Sequence, residues 1–353
     1  MDYSQWLSHA PYAWTQEEKE KQYLPYFQEL TEHHRRHCRP YGQALDVFGY
    51  GRRFSALEQI PMLPIRLFKY LKLQSIPDEE IFKIITSSGT TGQARSRIVL
   101  DAATAQNQQL TLYAIVKDFL GAGRVPMLIV DSPSVFTDRA AFNARGAAIL
   151  GFSIFAKKKY YALTDDLTLN KEALQAFASR TGPVLIFGFT FMIWKYLCQA
   201  IAEAGLSFDF SNAVVIHGGG WKKMEAQAVS AEAYKRRLYD QFRISRVHNY
   251  YGMAEQTGCV YMECEAGHLH ASIFSDVIVR APEDFSPCPI GKSGILQVLS
   301  PMAVSYPGHS LLTEDMGAIL GVDDCPCGRK GKYFRIDGRI PQAEIRGCSD
   351  THE

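Results

Sequence analysis

Three short runs of uninterrupted apolar residues constrain this chain more than anything else in it: Pro126-Met127-Leu128-Ile129-Val130, Val184-Leu185-Ile186-Phe187 and Ala213-Val214-Val215-Ile216. A strand with one face in water alternates apolar and polar residues, whereas a run without alternation is covered on both faces. The first run leads into the polar turn Asp131-Ser132-Pro133-Ser134, and the other two end in glycine-containing turns before helical stretches. Strands of this kind alternating with helices predict an α/β fold of largely parallel sheets covered by helices. Upstream, Ile81-Phe82-Lys83-Ile84-Ile85 and Arg97-Ile98-Val99-Leu100 read as strands flanking a hydroxyl-rich loop, and residues 101–120 read as a helix. Beyond about residue 268 the texture changes to shorter strands with Pro/Gly turns, which predicts a β-rich subdomain. Residues 1–80 read as helical, with Thr15 ahead of Glu17 and Glu18 as a capping signature. His33, His34 and His37 read as a solvated cationic helix end.

Charge narrows the function. The 353 residues carry 38 basic and 37 acidic side chains, a net charge of +1, which argues against nucleic acid or an anionic membrane as the main partner. No run of 18 apolar residues predicts a membrane span, and Met1-Asp2-Tyr3-Ser4-Gln5-Trp6 does not resemble an export signal, so a cytoplasmic address is expected. The eight cysteines are then expected to be reduced thiols or metal ligands, and Cys259, Cys264, Cys288, Cys325, Cys327 and Cys348 all lie in the last third.

Four local motifs carry chemistry. In Thr86-Ser87-Ser88-Gly89-Thr90-Thr91-Gly92-Gln93-Ala94-Arg95, two glycines allow a tight turn in which amide N–H groups converge, hydroxyls add donors, and Arg95 adds a fixed charge. That composition suits an anion cradle, or a hydroxyl-rich hairpin with no ligand; it lacks the Lys-Ser/Thr ending of the common phosphate loop. His248-Asn249-Tyr250-Tyr251-Gly252-Met253-Ala254-Glu255 offers an aromatic pair and a carboxylate suited to a divalent cation. Leu312-Thr313-Glu314-Asp315-Met316-Gly317 reads as an acidic turn whose Asp315 could accept from ribose hydroxyls, and Asp337-Gly338-Arg339 reads as a tight turn that delivers an arginine. Phe187, Phe189, Trp221 and Tyr250 are apolar enough to line an acyl pocket and equally suited to the core.

Taken in order, these motifs resemble the core motifs of adenylate-forming enzymes: acyl-CoA synthetases, peptide-synthetase adenylation domains and firefly luciferase. Within that superfamily the chain is most similar to the LuxE type, the acyl-protein synthetases of fatty-acid reductase complexes. Ile60-Pro61-Met62-Leu63-Pro64-Ile65-Arg66-Leu67-Phe68-Lys69, Phe187-Gly188-Phe189-Thr190, His217-Gly218-Gly219-Gly220-Trp221-Lys222-Lys223 and Ala343-Glu344-Ile345-Arg346-Gly347-Cys348 carry the likeness. It implies a helical N-terminal region at 1–80, an adenylating core at 81–337 and a tail at 338–353. It also implies that Ser87, Ser88, Gly89, Thr90, Thr91 and Gly92 wrap the ATP phosphates. Gly218, Gly219, Gly220, Tyr250 and Tyr251 would flank adenine and the acyl carbonyl. Glu255 would bind Mg²⁺, Asp315 the ribose, and Arg339 the ribose or phosphate. Arg95 stands where most of the superfamily has lysine, which keeps the charge and alters the contact geometry.

Most of the superfamily carries a further mobile domain after the Gly-Arg turn, but here the chain ends 14 residues beyond Arg339, and Pro341 replaces the usual hinge acid. The resemblance therefore implies self-acylation. A carboxylic acid, of the fatty class, would become an acyl-adenylate, Cys348 would take the acyl group as a thioester, and a reductase partner would receive it. Two other outcomes stay open: an acyl- or aryl-CoA or carrier-protein ligase with an external thiol, and a silent nucleotide-binding scaffold. Separately, Cys264, Cys325 and Cys327 with His268 or His270 offer three thiols and an imidazole at short spacings, a set suited to structural zinc. Phenylacetate–CoA ligases are similar in this region, and alignment with them favours His270 as the fourth ligand.

Overall fold

The apolar runs become buried strands, and their pairing is parallel as their pattern predicts. The computed structural model describes residues 3–86, 95–121, 123–136 and 144–340. The first helices are α1 (Gln16–His37) and α2 (Arg39–Val47), followed by β1 (Leu63–Pro64) and α3 (Leu67–Tyr70). Next come β2 (Lys83–Thr86), β3 (Arg97–Leu100) and the long helix α4 (Ala102–Leu120). The middle of the chain alternates β4 (Val125–Ile129), α5 (Ala144–Phe152), β5 (Ala156–Tyr161), α6 (Lys171–Ala178) and β6 (Val184–Phe189). A helical stretch made of α7 (Thr190–Met192), a π-helical turn Ile193–Gln199 and α8 (Ala200–Glu203) leads to β7 (Ala213–Gly218), α9 (Ala231–Phe242) and β8 (Arg246–Tyr251). The last part is strand-rich: β9 (Tyr261–Glu263), β10 (Leu269–His270), β11 (Asp276–Arg280), β12 (Gly294–Leu299), β13 (Ser310–Val322) and β14 (Lys332–Arg339).

Among the described residues the chain divides by contacts into two compact units, residues up to 115 with 252–340, and residues 116–251. The sequence-based divisions at 80 and 337 follow motif order, a different criterion. In the second unit β5, β4, β6, β7 and β8 lie side by side in that order, and every pairing is parallel. All six residues of β6 and of β7 are buried, which is why neither strand alternates. Leu128, Ile186, Val215, Leu197, Leu238 and Phe242 belong to the core on which these strands and helices pack.

In the first unit, α1 starts at a full capping box. The Glu18 amide donates to Thr15 Oγ1 at 3.3 Å, and the Thr15 amide donates to the Glu18 carboxylate at 2.8 Å. Its buried face carries Tyr23, Phe27, Leu30 and His34, spaced for one helical stripe. The strands of this unit run β11-β12-β13-β14-β10-β9, with β1 added in parallel to β13. Here the sequence reading needs a correction at the end of α1. His34 is not solvated: it is fully buried and hydrogen-bonded through Nδ1 to Ser75 Oγ at 2.7 Å. Its Nε2 meets the Ala303 carbonyl at 2.8 Å.

Candidate active site and metal centre

In the second unit, β4 pairs with both β5 and β6, so the strand order reverses direction between β4 and β6. In open α/β sheets, ligands bind outside the carboxyl ends of the strands near such a reversal. Asp131 and Arg145 meet there, with Nε to Oδ2 at 2.8 Å and side chains only 1% and 7% exposed. Burial pushes the Asp131 carboxyl up, and Arg145 opposes that shift. At the end of β6, Thr190 Oγ1 donates to the Gly218 carbonyl at 3.2 Å and accepts from His217 Nδ1 at 2.9 Å. Burial first, then Lys235 and His248, hold the His217 imidazole down to about 3. A neutral His217 and Thr190 thus tie down the start of the Gly218-Gly219-Gly220 loop.

The first two glycines of that loop are sterically required. A Cβ on Gly218 would come within 2.7 Å of the Tyr250 ring, and one on Gly219 within 2.3 Å of the Phe189 ring. Gly219 also has φ +80°, a conformation that side chains disfavour. Two of the rings proposed from sequence therefore lie directly on the glycine loop. Phe187 is fully buried and stacks on Phe152 at 4.3 Å, with Tyr250 stacked beside it at 6.3 Å. Trp221 packs edge-on to Trp194 and Tyr234 instead. Tyr251 is half-buried at the end of β8.

In the first unit, Glu255 sits on a short 3-10 turn with 1% exposure. Tyr306 donates its hydroxyl to the Glu255 carbonyl at 2.8 Å, and Gln256 Nε2 donates to the Gly308 carbonyl at 2.8 Å. Among the described residues, Glu255 Oε1 is buried and accepts no hydrogen bond. A buried carboxylate oxygen with no donor is costly unless a cation meets it, so the residue fits a divalent ion. Asp315 and Arg339 face each other across β13 and β14, with Arg339 Nε 3.6 Å from Asp315 Oδ1. The two turns expected from the sequence are corrected here: Thr313 to Gly317 and Asp337 to Arg339 lie within the paired strands β13 and β14, and Thr313 Oγ1 donates to the Leu296 carbonyl at 2.8 Å and accepts the Asp315 amide at 3.1 Å. Arg95 is exposed just before β3.

The same unit gathers a second constellation. The ligand atoms of Cys264, His270, Cys325 and Cys327 all lie within 4.8 Å of one another. Cys264 Sγ is 3.9 Å from Cys325 Sγ, and Cys327 Sγ is 3.4 Å from His270 Nε2. A tetrahedral centre with ordinary zinc bond lengths needs separations of roughly 3.7 Å and 3.5 Å for such pairs, so the donors fit. Two tight turns set them: the Gly267 amide donates to the Cys264 carbonyl at 2.9 Å, and the Gly328 amide to the Cys325 carbonyl at 2.9 Å. Gly267 and Gly328 have φ +81° and +83°. Burial pushes the Cys325 thiol up to about 12 and raises Cys264 as well. Thiols this close ionise together only around a cation. His268, the other imidazole offered by the sequence, lies outside this quartet with Nδ1 3.4 Å from Cys325 Sγ.

Of the residues proposed from sequence, Ser87, Ser88, Gly89, Thr90, Thr91, Gly92 and Cys348 lie outside the described residues. Sequence reasoning missed the Asp131–Arg145 pair and the lock formed by His217 and Thr190. The only signal for the first was a polar turn after an apolar strand, and nothing local links partners 14 positions apart.

The family described as "Acyl-protein synthetase, LuxE" matches residues 4–353. A long-chain-fatty-acid–luciferin-component ligase of Vibrio harveyi is 24% identical over 362 residues, spanning 96% of this chain and 89% of the relative. The ligase of the same name from Aliivibrio fischeri is 22% identical over 300 residues, 83% of this chain and 78% of the relative. A crystal structure of 2-hydroxyisobutyryl-CoA ligase with 2-HIB-AMP in the postadenylation state superposes with a TM-score of 0.71 at 17% identity. It covers 91% of this chain and 68% of that one, and supports the adenylate-forming fold. With a match that runs from residue 4 to the last residue, the chain belongs to the LuxE family of acyl-protein synthetases.

Proposed function

We propose that this acid–thiol ligase uses ATP and Mg²⁺ to activate a carboxylic acid, of the fatty class, and carries the acyl group on its own Cys348. The observation that carries the reading is the family match over residues 4–353, which encloses every residue given a role here. In the first step a carboxylate oxygen attacks the α-phosphorus of ATP. The bond to the bridging oxygen breaks and pyrophosphate leaves, giving acyl-AMP. No base is needed, because the acid is already ionised; the barrier lies in bringing two anions together. Residues 87–92 and Arg95 are assigned to the phosphates, and Glu255 to Mg²⁺, a role that its unpaired Oε1 supports. Asp315 and Arg339 are assigned to the ribose, with Arg339 also available to phosphate. Gly218, Gly219, Gly220, Tyr250 and Tyr251 are assigned to adenine and the acyl carbonyl, and Phe187, Phe189 and Trp221 to the acyl pocket.

In the second step the Cys348 thiolate attacks the acyl carbonyl, AMP leaves, and a thioester forms on the protein. A reductase partner would take the acyl group from there. Zinc held by Cys264, His270, Cys325 and Cys327 is assigned a structural role with no part in the chemistry. Bound Mg²⁺ supplies charge neutralisation at the phosphates. Acid-dependent ATP–pyrophosphate exchange tests the first step. Glu255→Gln is expected to lower it about a hundredfold, a loss typical of removing transition-state charge stabilisation. No exchange with any acid in the wild-type chain would leave only a nucleotide-binding scaffold.

A further inference from the structure

We propose that Glu314 is a positioning residue: its carboxylate, shared by Arg66 and Arg339, aims the Arg339 guanidinium at the nucleotide. The inference rests on the assignment of Asp315 and Arg339 to the ribose or phosphate and adds two residues to it.

The chain builds this arrangement from three directions. β1 pairs in parallel with β13 through Leu63 with Leu311 and Pro64 with Leu312, and the Ile65 amide donates to the Leu312 carbonyl at 3.0 Å. Arg66 is thereby delivered beside Glu314. From the other side, β14 sets Arg339 opposite Asp315, and the Ile340 amide donates to the Glu314 carbonyl at 3.0 Å. The two carboxylate oxygens are then divided between the arginines. Arg66 Nε donates to Oε1, and Arg339 Nη2 donates to Oε2 at 2.5 Å. The Glu314 side chain is 7% exposed, against 41% for Arg66 and 31% for Arg339.

A carboxylate this deep between two cations is not an ordinary surface pair. A guanidinium is a rigid planar fork, so fixing Nη2 on Glu314 also fixes the direction of the remaining N–H groups. Arg339 Nε, 3.6 Å from Asp315 Oδ1, shows where that fork points. Arg66 takes the other carboxylate oxygen, so Glu314 is held from two sides and Arg339 keeps its place beside Asp315.

Positioning and plain electrostatics predict opposite signs. A negative charge beside a bound phosphate repels it, so if charge were the whole effect, Glu314→Gln would tighten nucleotide binding. If Glu314 aims Arg339, the same substitution weakens binding, and does so for ATP and AMP alike.

The test is calorimetric titration of the full chain with Mg-ATP and with AMP, which needs no acid. Glu314→Gln is expected to weaken both about tenfold, the worth of one charge-assisted hydrogen bond. Arg66→Ala should move both in the same direction by less. Melting without nucleotide confirms that the variants are folded. If Glu314→Gln fails to fold, Glu314→Asp replaces it: the charge is kept, the carboxylate is drawn back from Arg339 by one methylene, and the same direction of weakening is expected. Unchanged or tighter binding in the folded variant, with binding lost in Asp315→Ala, overturns the positioning role alone. Wild-type affinity in Asp315→Ala overturns the nucleotide assignment on which the role rests.

Discussion

His34 and His309 stack with ring centroids 4.9 Å apart, both fully buried, and each leans on hydroxyl partners. His309 Nε2 meets Thr31 Oγ1 at 3.1 Å and Tyr41 OH at 3.3 Å. Burial, with His33 nearby, holds His309 down to about 3; burial and His309 hold His34 well below the usual imidazole range. The unfolded chain takes up these protons near pH 6.5 and the folded chain does not, so stability is full above that pH and falls as pH drops towards 3. At pH 5 His309 alone should cost about 2 kcal/mol. Urea unfolding at pH 7 and pH 5 measures this, and His309→Gln should flatten the difference by about that amount; an unchanged difference would contradict the buried neutral imidazole. This pair was invisible in the sequence. His34 and His309 are 275 positions apart, and His34 sits in a His/Arg-rich helix end that local pattern assigns to water.

The β13–β14 hairpin joins the two constellations of the first unit. One end carries Asp315 opposite Arg339; at the other, Val322 pairs with Lys332, and the connection between the strands carries Cys325 and Cys327. A cation at Cys264, His270, Cys325 and Cys327 would clip that connection to β10. Elemental analysis is expected to find one zinc per chain, and stripping it with a chelator should lower the melting temperature by about 10 °C or more. A metal-free chain with the same melting temperature would refute the clip. Much at this scale was legible in the sequence because it was local. The apolar runs became β4, β6 and β7, Thr15 capped α1, and the cysteine pattern marked four donors that the structure gathers. What was not legible is pairing between distant elements. Nothing in Ile65-Arg66-Leu67 shows that β1 will lie along β13 and bring Arg66 to Glu314. The same holds for Asp131, whose partner Arg145 comes from a separate helix.

For the whole chain, family membership settles the class of enzyme, and no helix among the described residues is long and apolar enough to cross a membrane. The motif order was readable because an adenylating enzyme spreads a few small groups along the chain at characteristic intervals. The acid and the final acceptor were not, because Phe187, Phe189 and Trp221 serve a packed core as well as they would serve a ligand. The central claim is that the chain is its own acceptor. Intact-mass spectrometry after incubation with ATP, Mg²⁺ and a panel of fatty acids tests it most directly. The account predicts one added acyl group, the mass of the acid less water, labile to hydroxylamine and absent from Cys348→Ser, which still catalyses pyrophosphate exchange. An unmodified protein that makes acyl-CoA at full turnover as Cys348→Ser would contradict it.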